Sequence, residues 1–121
     1  MKHLVTTFAV VSMLAPVMVR AGAASAFVTG NDLHDSLLSY DRVANHTSER
    51  FDPMAGMQAF GYIEGVADAR NGIGFCISSG VTPGQIVAVT EKYLNAHPEQ
   101  WNLPASPLVV AALKKAFPCL R

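Results

Sequence analysis

Apolar residues recur along this chain at intervals of three and four, the spacing of one face of a helix. Leu33, Leu37, Tyr40 and Ala44 share such a face, with Leu38 beside them, and predict a helix over about 32–44. Thr29, Gly30, Asn31 and Asp32 precede it, residues that can accept bonds from the free amides of a helix start. Residues 45–52 are polar and without period, so they read as a loop. Asp52 followed by Pro53 opens a second helix, because the carboxylate can cap it and proline at the first position has no amide to leave unpaired. Met57, Phe60, Ile63, Ala67 and Met54 are expected to face inward there, with Glu64 and Arg70 in water. Gly61 and Gly65 lie one turn apart, a spacing that predicts a close helix crossing, and Asn71-Gly72 supplies the stop.

Thr82-Pro83-Gly84-Gln85 has the form of a capping box and starts a third helix running to about Ala96, ended by Pro98. Its inward stripe is expected to be Ile86, Val89, Tyr93 and Thr90. A fourth helix starts at Ser106-Pro107, carries Leu108, Val109, Val110, Leu113 and Phe117, and stops before Pro118. No stretch of five residues alternates polar and apolar convincingly, which disfavours a half-buried sheet. The fold class is therefore all-α, a small four-helix bundle.

The N-terminus follows a different rule. Lys2 and His3 precede an apolar run from Leu4 to Val19, and Ala24-Ser25-Ala26 has the small-x-small form of a signal-peptidase site. The run is about 16 residues and contains Pro16, short of the roughly 20 needed to span a bilayer. Residues 1–26 are thus expected to be a signal peptide cleaved between Ala26 and Phe27, leaving residues 27–121 as one domain with no membrane attachment. That segment has seven Lys or Arg and nine Asp or Glu, without a run of like charge. Such a balance gives no footprint for nucleic acid or anionic lipid.

Export changes the meaning of the two cysteines. Cys76 and Cys119 would enter an oxidising compartment, where an even count normally means a disulfide. Cys76 precedes the third helix and Cys119 follows the fourth, so the bridge would close the bundle by fixing that helix pair.

Chemistry is sparse. Gly72 and Gly74 lack the later glycine of a dinucleotide loop, and Gly80 to Gly84 lacks the lysine of a phosphate loop. His34, His46 and His97 are not spaced to share a metal, and His97 at a helix end is explained by the carbonyl dipoles it faces. No serine stands in a Gly-x-Ser-x-Gly elbow. Glu64 and Asp68, one turn apart, read as a solvated face rather than an acid/base pair. Trp101 is either a contact anchor or a plug over the bundle, and the plug is expected because one aromatic does not make a patch. Neither an enzyme, a cofactor nor a metal is expected; an exported binding module is.

The second half of the chain carries a more specific pattern. Gly61-Tyr62-Ile63, Gly65-Val66, Asp68, Phe75-Cys76, Gly80-Val81-Thr82 and Gly84-Gln85 are followed in order by Lys92-Tyr93-Leu94, His97-Pro98-Glu99, Pro104-Ala105, Leu108-Val109, Ala112-Leu113 and Phe117-Pro118-Cys119. This resembles the Tai family of type VI secretion amidase immunity proteins, within the resistance-associated immunity proteins, over residues 59–119. The resemblance implies a periplasmic α-helical protein, often a homodimer, that binds a peptidoglycan-cleaving amidase effector and obstructs its cleft while catalysing nothing itself. Many relatives carry a second cysteine pair joining the first two helices; here Ala59 precedes Phe60 and the first helix has no cysteine. Ser78 stands where the resemblance leads one to expect proline.

Partner contacts are expected on polar connections held by the rigid bundle: Glu49 and Arg50 in the first loop, Ser78 and Ser79 beside the disulfide. The alternative is a periplasmic stress or chaperone-like binding protein without a dedicated effector, and a small hydrolase comes last for want of a nucleophile and base.

Overall fold

In the computed structural model, which describes residues 27–45 and 53–120, the chain forms helices α1 (Gly30–Ala44), α2 (Pro53–Arg70), α3 (Pro83–Ala96) and α4 (Ala105–Ala116). A 3-10 turn at Pro98–Gln100, not anticipated from sequence, follows α3. Among the described residues there is no β-strand, only isolated bridges at Thr29–Pro104 and Asn71–Phe75. The all-α bundle is thus as expected, and the cysteines are joined as Cys76–Cys119 with their Cα atoms 4.7 Å apart. Residues 1–26, the expected signal peptide, and Asp52, the expected cap of α2, lie outside the described residues.

α1 begins where its sequence allows its amides to be satisfied. The Thr29 amide and hydroxyl both donate to Asp32 Oδ2, at 2.9 and 2.7 Å, and the Asp32 amide donates back to Thr29 Oγ1 at 3.3 Å. Two further amides at this helix start, Gly30 and Asn31, donate to the carbonyls of Leu103 and Trp101 at 2.8 and 2.7 Å. The start of the first helix is therefore capped by the connection between the third and fourth. Gly30 is required by that approach, since a Cβ there would lie 2.8 Å from the Trp101 backbone.

The inward face of α2 differs from expectation. Gly56, Ala59, Ile63 and Ala67 are buried, whereas Met54 and Met57 are 75% and 64% exposed and Phe60 is half-buried. Apolar side chains occur all round this helix, so periodicity alone does not fix its rotation. The smallest residues decide it: a Cβ on Gly56 would come within 2.9 Å of Tyr40 Cα, so the backbones of α1 and α2 meet there. The expected crossing at Gly61 and Gly65 does not occur; both are exposed, and a Cβ at either would have open space.

α3 has the expected capping box, with Thr82 and Gln85 bonding reciprocally. Its buried face is Ile86, Val87, Thr90 and Leu94, while the expected Val89 and Tyr93 are half-buried. Thr90 meets its hydrogen-bonding need inside the core by donating to the Ile86 carbonyl at 3.0 Å. α4 runs from Ala105 rather than Ser106 and buries Leu108, Val109, Ala112 and Leu113. Phe75, from the short α2–α3 connection, is fully buried and was not anticipated as core. Trp101 is the plug: half-buried, it stacks on His34 at 3.8 Å between centroids and donates from Nε1 to the Leu94 carbonyl at 2.8 Å.

Two stability outcomes follow from this packing. Reduction, or Cys76→Ser, releases a closure spanning 43 residues, worth about 4 kcal/mol by loop entropy; a thermal melt should fall markedly, and an unchanged midpoint would show the bridge to be idle. Gly61→Ala and Gly65→Ala should each raise stability by about 0.5–1 kcal/mol, whereas Gly56→Ala should lower it through collision with Tyr40. The reverse order in urea melts would contradict the assigned crossing.

Candidate partner-binding site

The α2–α3 connection is a loop held at both ends. Gly72, at φ 82°, turns the chain out of α2, and its amide donates to the Phe75 carbonyl at 2.7 Å. Asn71 Oδ1 accepts from the Ile77 amide at 2.9 Å, and the Cys76 amide donates to the Phe117 carbonyl at 2.8 Å. With Phe75 buried on one side of Cys76 and the disulfide at Cys76 itself, the next residues start from a fixed point. Ser78 and Ser79 follow, both exposed, before a turn in which the Val81 amide donates to the Ser78 carbonyl at 3.3 Å. The Thr82 box closes the segment. Two hydroxyls are thus presented to solvent on a short tethered loop, a geometry suited to contact with another protein. Glu49 and Arg50, the other expected contacts, lie outside the described residues.

Among the described residues, several clefts not foreseen from sequence lie on the helical faces, two of them lined by α4. One, of about 670 Å³, is a shallow depression between α2 and α4 lined by Gly61, Tyr62, Gly65, Val66 and Val110 among others. The missing Cβ atoms of the two glycines open it, so the residues that looked like a packing seam shape a surface instead. The other, of about 240 Å³, lies between α3 and α4 and is lined by Val89, Tyr93 and Ala112, with Lys92 and Lys115 at its edge. The signal for these surfaces is present in the sequence only as small or aliphatic residues on helices, which read equally well as core.

The titratable groups are mostly structural. Hydrogen bonds from the Thr29 hydroxyl and then its amide hold Asp32 below the usual carboxylate range. Glu99 is held low by a backbone bond within its own residue and then by His97, whose Nδ1 lies 3.1 Å from its Oε1. His97 caps α3 through its backbone amide, which donates to the Leu94 carbonyl, and packs on Tyr93 at 4.4 Å, so a cap bond and packing fix its place at the helix end. Glu64 is half-buried and Asp68 exposed. Between α1 and α3, burial first, then hydrogen bonding to and the charge of Asp41, push Glu91 up to about 7, while a bond from Asn95 acts the other way. Among the described residues no group of His, Cys, Asp and Glu is placed to hold a metal, and no helix is long and apolar enough to cross a membrane.

A family model for Rap1a immunity proteins matches residues 18–119, covering every described helix and both cysteines. A comparison with curated proteins found no match.

The Glu91–Asp41 contact sets a pH dependence. Because Glu91 holds its proton to about 7 when folded against an ordinary 4.5, the folded state binds more protons between those values, and stability falls as pH rises across them. Asp41 and Glu91 are both half-buried and still partly screened by water, so the effect is a few degrees in the melt rather than loss of the fold. Glu91→Gln should flatten the profile, melting higher than the parent at pH 8 and close to it at pH 5. Parallel profiles for the two proteins would remove the pair from the account.

Proposed function

The chain belongs to the Rap1a immunity protein family, and on that premise we propose that it acts in the periplasm, after removal of residues 1–26, by binding and blocking a peptidoglycan amidase delivered by a type VI secretion system. The observation that carries this reading is the span of the family match, 18–119, set beside the ordered residue pattern over 59–119 that resembles amidase immunity proteins. Inhibition of this kind needs no chemistry from the immunity protein. It needs a surface that keeps its shape while the cleft of the enzyme closes over it, since ordering a mobile loop at the moment of binding would weaken capture.

The tethered Ser78–Ser79 loop supports the reading because its backbone is fixed on one side by the disulfide and on the other by the α3 cap. Glu49 and Arg50 would add a second, charged contact. In such interfaces a few desolvated anchors carry most of the affinity, while surrounding polar contacts exclude water. The amidase contributes the catalytic groups. Association as a homodimer belongs to the same proposal and is checked by sedimentation of the oxidised protein.

The deciding experiment incubates the exported, oxidised protein with secreted proteins from its source and neighbouring strains and assays cell-wall cleavage. One amidase should be retained stoichiometrically and its cleavage should stop. Alanine at Glu49, Arg50, Ser78 and Ser79 together should weaken capture by about tenfold or more with helical content intact. A broad range of clients, or no retained amidase, would overturn the proposal in favour of the stress-protein reading.

A further inference from the structure

The α3–α4 cleft combines features that neither helix has alone. Its deeper wall is apolar: Ala112 is buried, and Val89 and Tyr93 are half-buried. Tyr93 is fixed in place, its hydroxyl donating to Gln100 Oε1 at 3.2 Å and its ring resting against His97. The edges are cationic, with Lys92 contributed by α3 and Lys115 by α4, both exposed. Neither lysine forms an ion pair among the described residues, whereas the neighbouring Glu99 carboxylate is taken up by His97. The segment 27–121 has more acidic than basic residues, so this pair of uncompensated cations runs against the overall charge.

We infer that this cleft is a docking surface for a protein partner that presents one large apolar side chain flanked by carboxylates. The cleft, about 240 Å³, has room for a single side chain of that kind rather than for a helix. Burial of an apolar group against Val89, Tyr93 and Ala112 supplies the non-directional part of the attraction. The lysines, one from each wall, then select acidic neighbours and repel basic ones. Leaving the ammonium groups at the rim keeps them hydrated until the partner arrives, so neither is buried unpaired in the free protein. The α2–α4 depression lacks this arrangement; its one basic lining residue is Arg70 and the opposite wall offers none. This inference rests on the binding-protein reading above and names the chemistry of a partner surface for it.

The test is an NMR titration of the oxidised, isotope-labelled protein with a blocked tripeptide, acetylated and amidated Asp-Phe-Asp. Saturable shifts should centre on the amides of Lys92, Tyr93, Ala112 and Lys115. The analogues Asn-Phe-Asn and Asp-Ala-Asp should bind about fivefold more weakly or worse, as should the parent tripeptide to a Lys92→Gln/Lys115→Gln variant. Shifts that fail to saturate, that centre elsewhere, or that are equal for Asn-Phe-Asn would overturn the inference without any variant having to fold. Undiminished capture of an amidase by the double variant would also overturn it while leaving the immunity reading intact. Absence of amidase capture by the parent protein, with saturable tripeptide binding retained, would instead remove the immunity reading and keep the cleft.

Discussion

The covalent link between Cys76 and Cys119 is the constraint on which the other arrangements depend. A domain of this size hides a modest fraction of its surface and has little stability to spare. The link acts where it is most useful, at the meeting of the α2–α3 connection with the tail after α4. Two non-covalent features converge on the same point: Phe75 is buried next to Cys76, and the Cys76 amide bonds to the Phe117 carbonyl. The residues that follow, including Ser78 and Ser79, therefore leave the bundle from an anchored position. α3 and α4, which the bridge brackets, are also the helices that form the lysine-edged cleft.

The elements themselves were legible because their boundaries are written in local chemistry. Thr82 and Gln85 satisfy each other's amides, Pro53 and Pro83 fit only first turns, and Asn71-Gly72 offers a turn that a helix cannot continue through. The disulfide was legible for a different reason, an even count of two cysteines in a chain whose N-terminal pattern leads one to expect export. Rotation was not. α2 has apolar residues on every side, and the choice of Gly56 and Ala59 over Met57 as the inward face is made by how near Tyr40 comes, a fact of tertiary structure. Gly61 and Gly65 show the same ambiguity, since a glycine that permits close packing and one that merely leaves a depression have the same letter.

The candidate surfaces divide along the same line. Ser78 and Ser79 could be picked out because polar residues beside a cysteine imply a held, exposed loop. Lys92 and Lys115 are 23 positions apart in the chain and belong to separate helices, so nothing local unites them; the packing of α3 on α4 does. The family match tells what kind of protein this is, while the exposed Ser78, Ser79, Lys92 and Lys115 are positions such a scaffold can vary without altering its core. Variation of partner is easiest at positions whose side chains take no part in caps, crossings or the bridge.

The bonds from Gly30 and Asn31 to the carbonyls of Leu103 and Trp101, and from the Ala105 amide to Val28, tie the start of α1 to a segment 70 to 77 residues later. Contacts of such long range cannot form until both ends of the segment they join are present. α1 and α2 can pair early, but the cap of α1 and the Trp101–His34 stack await residues 101–105, and the disulfide awaits Cys119. Completion of this fold therefore waits on its C-terminal segment, so a chain lacking that segment would hold helices without the cap, the stack or the bridge that fix them to one another.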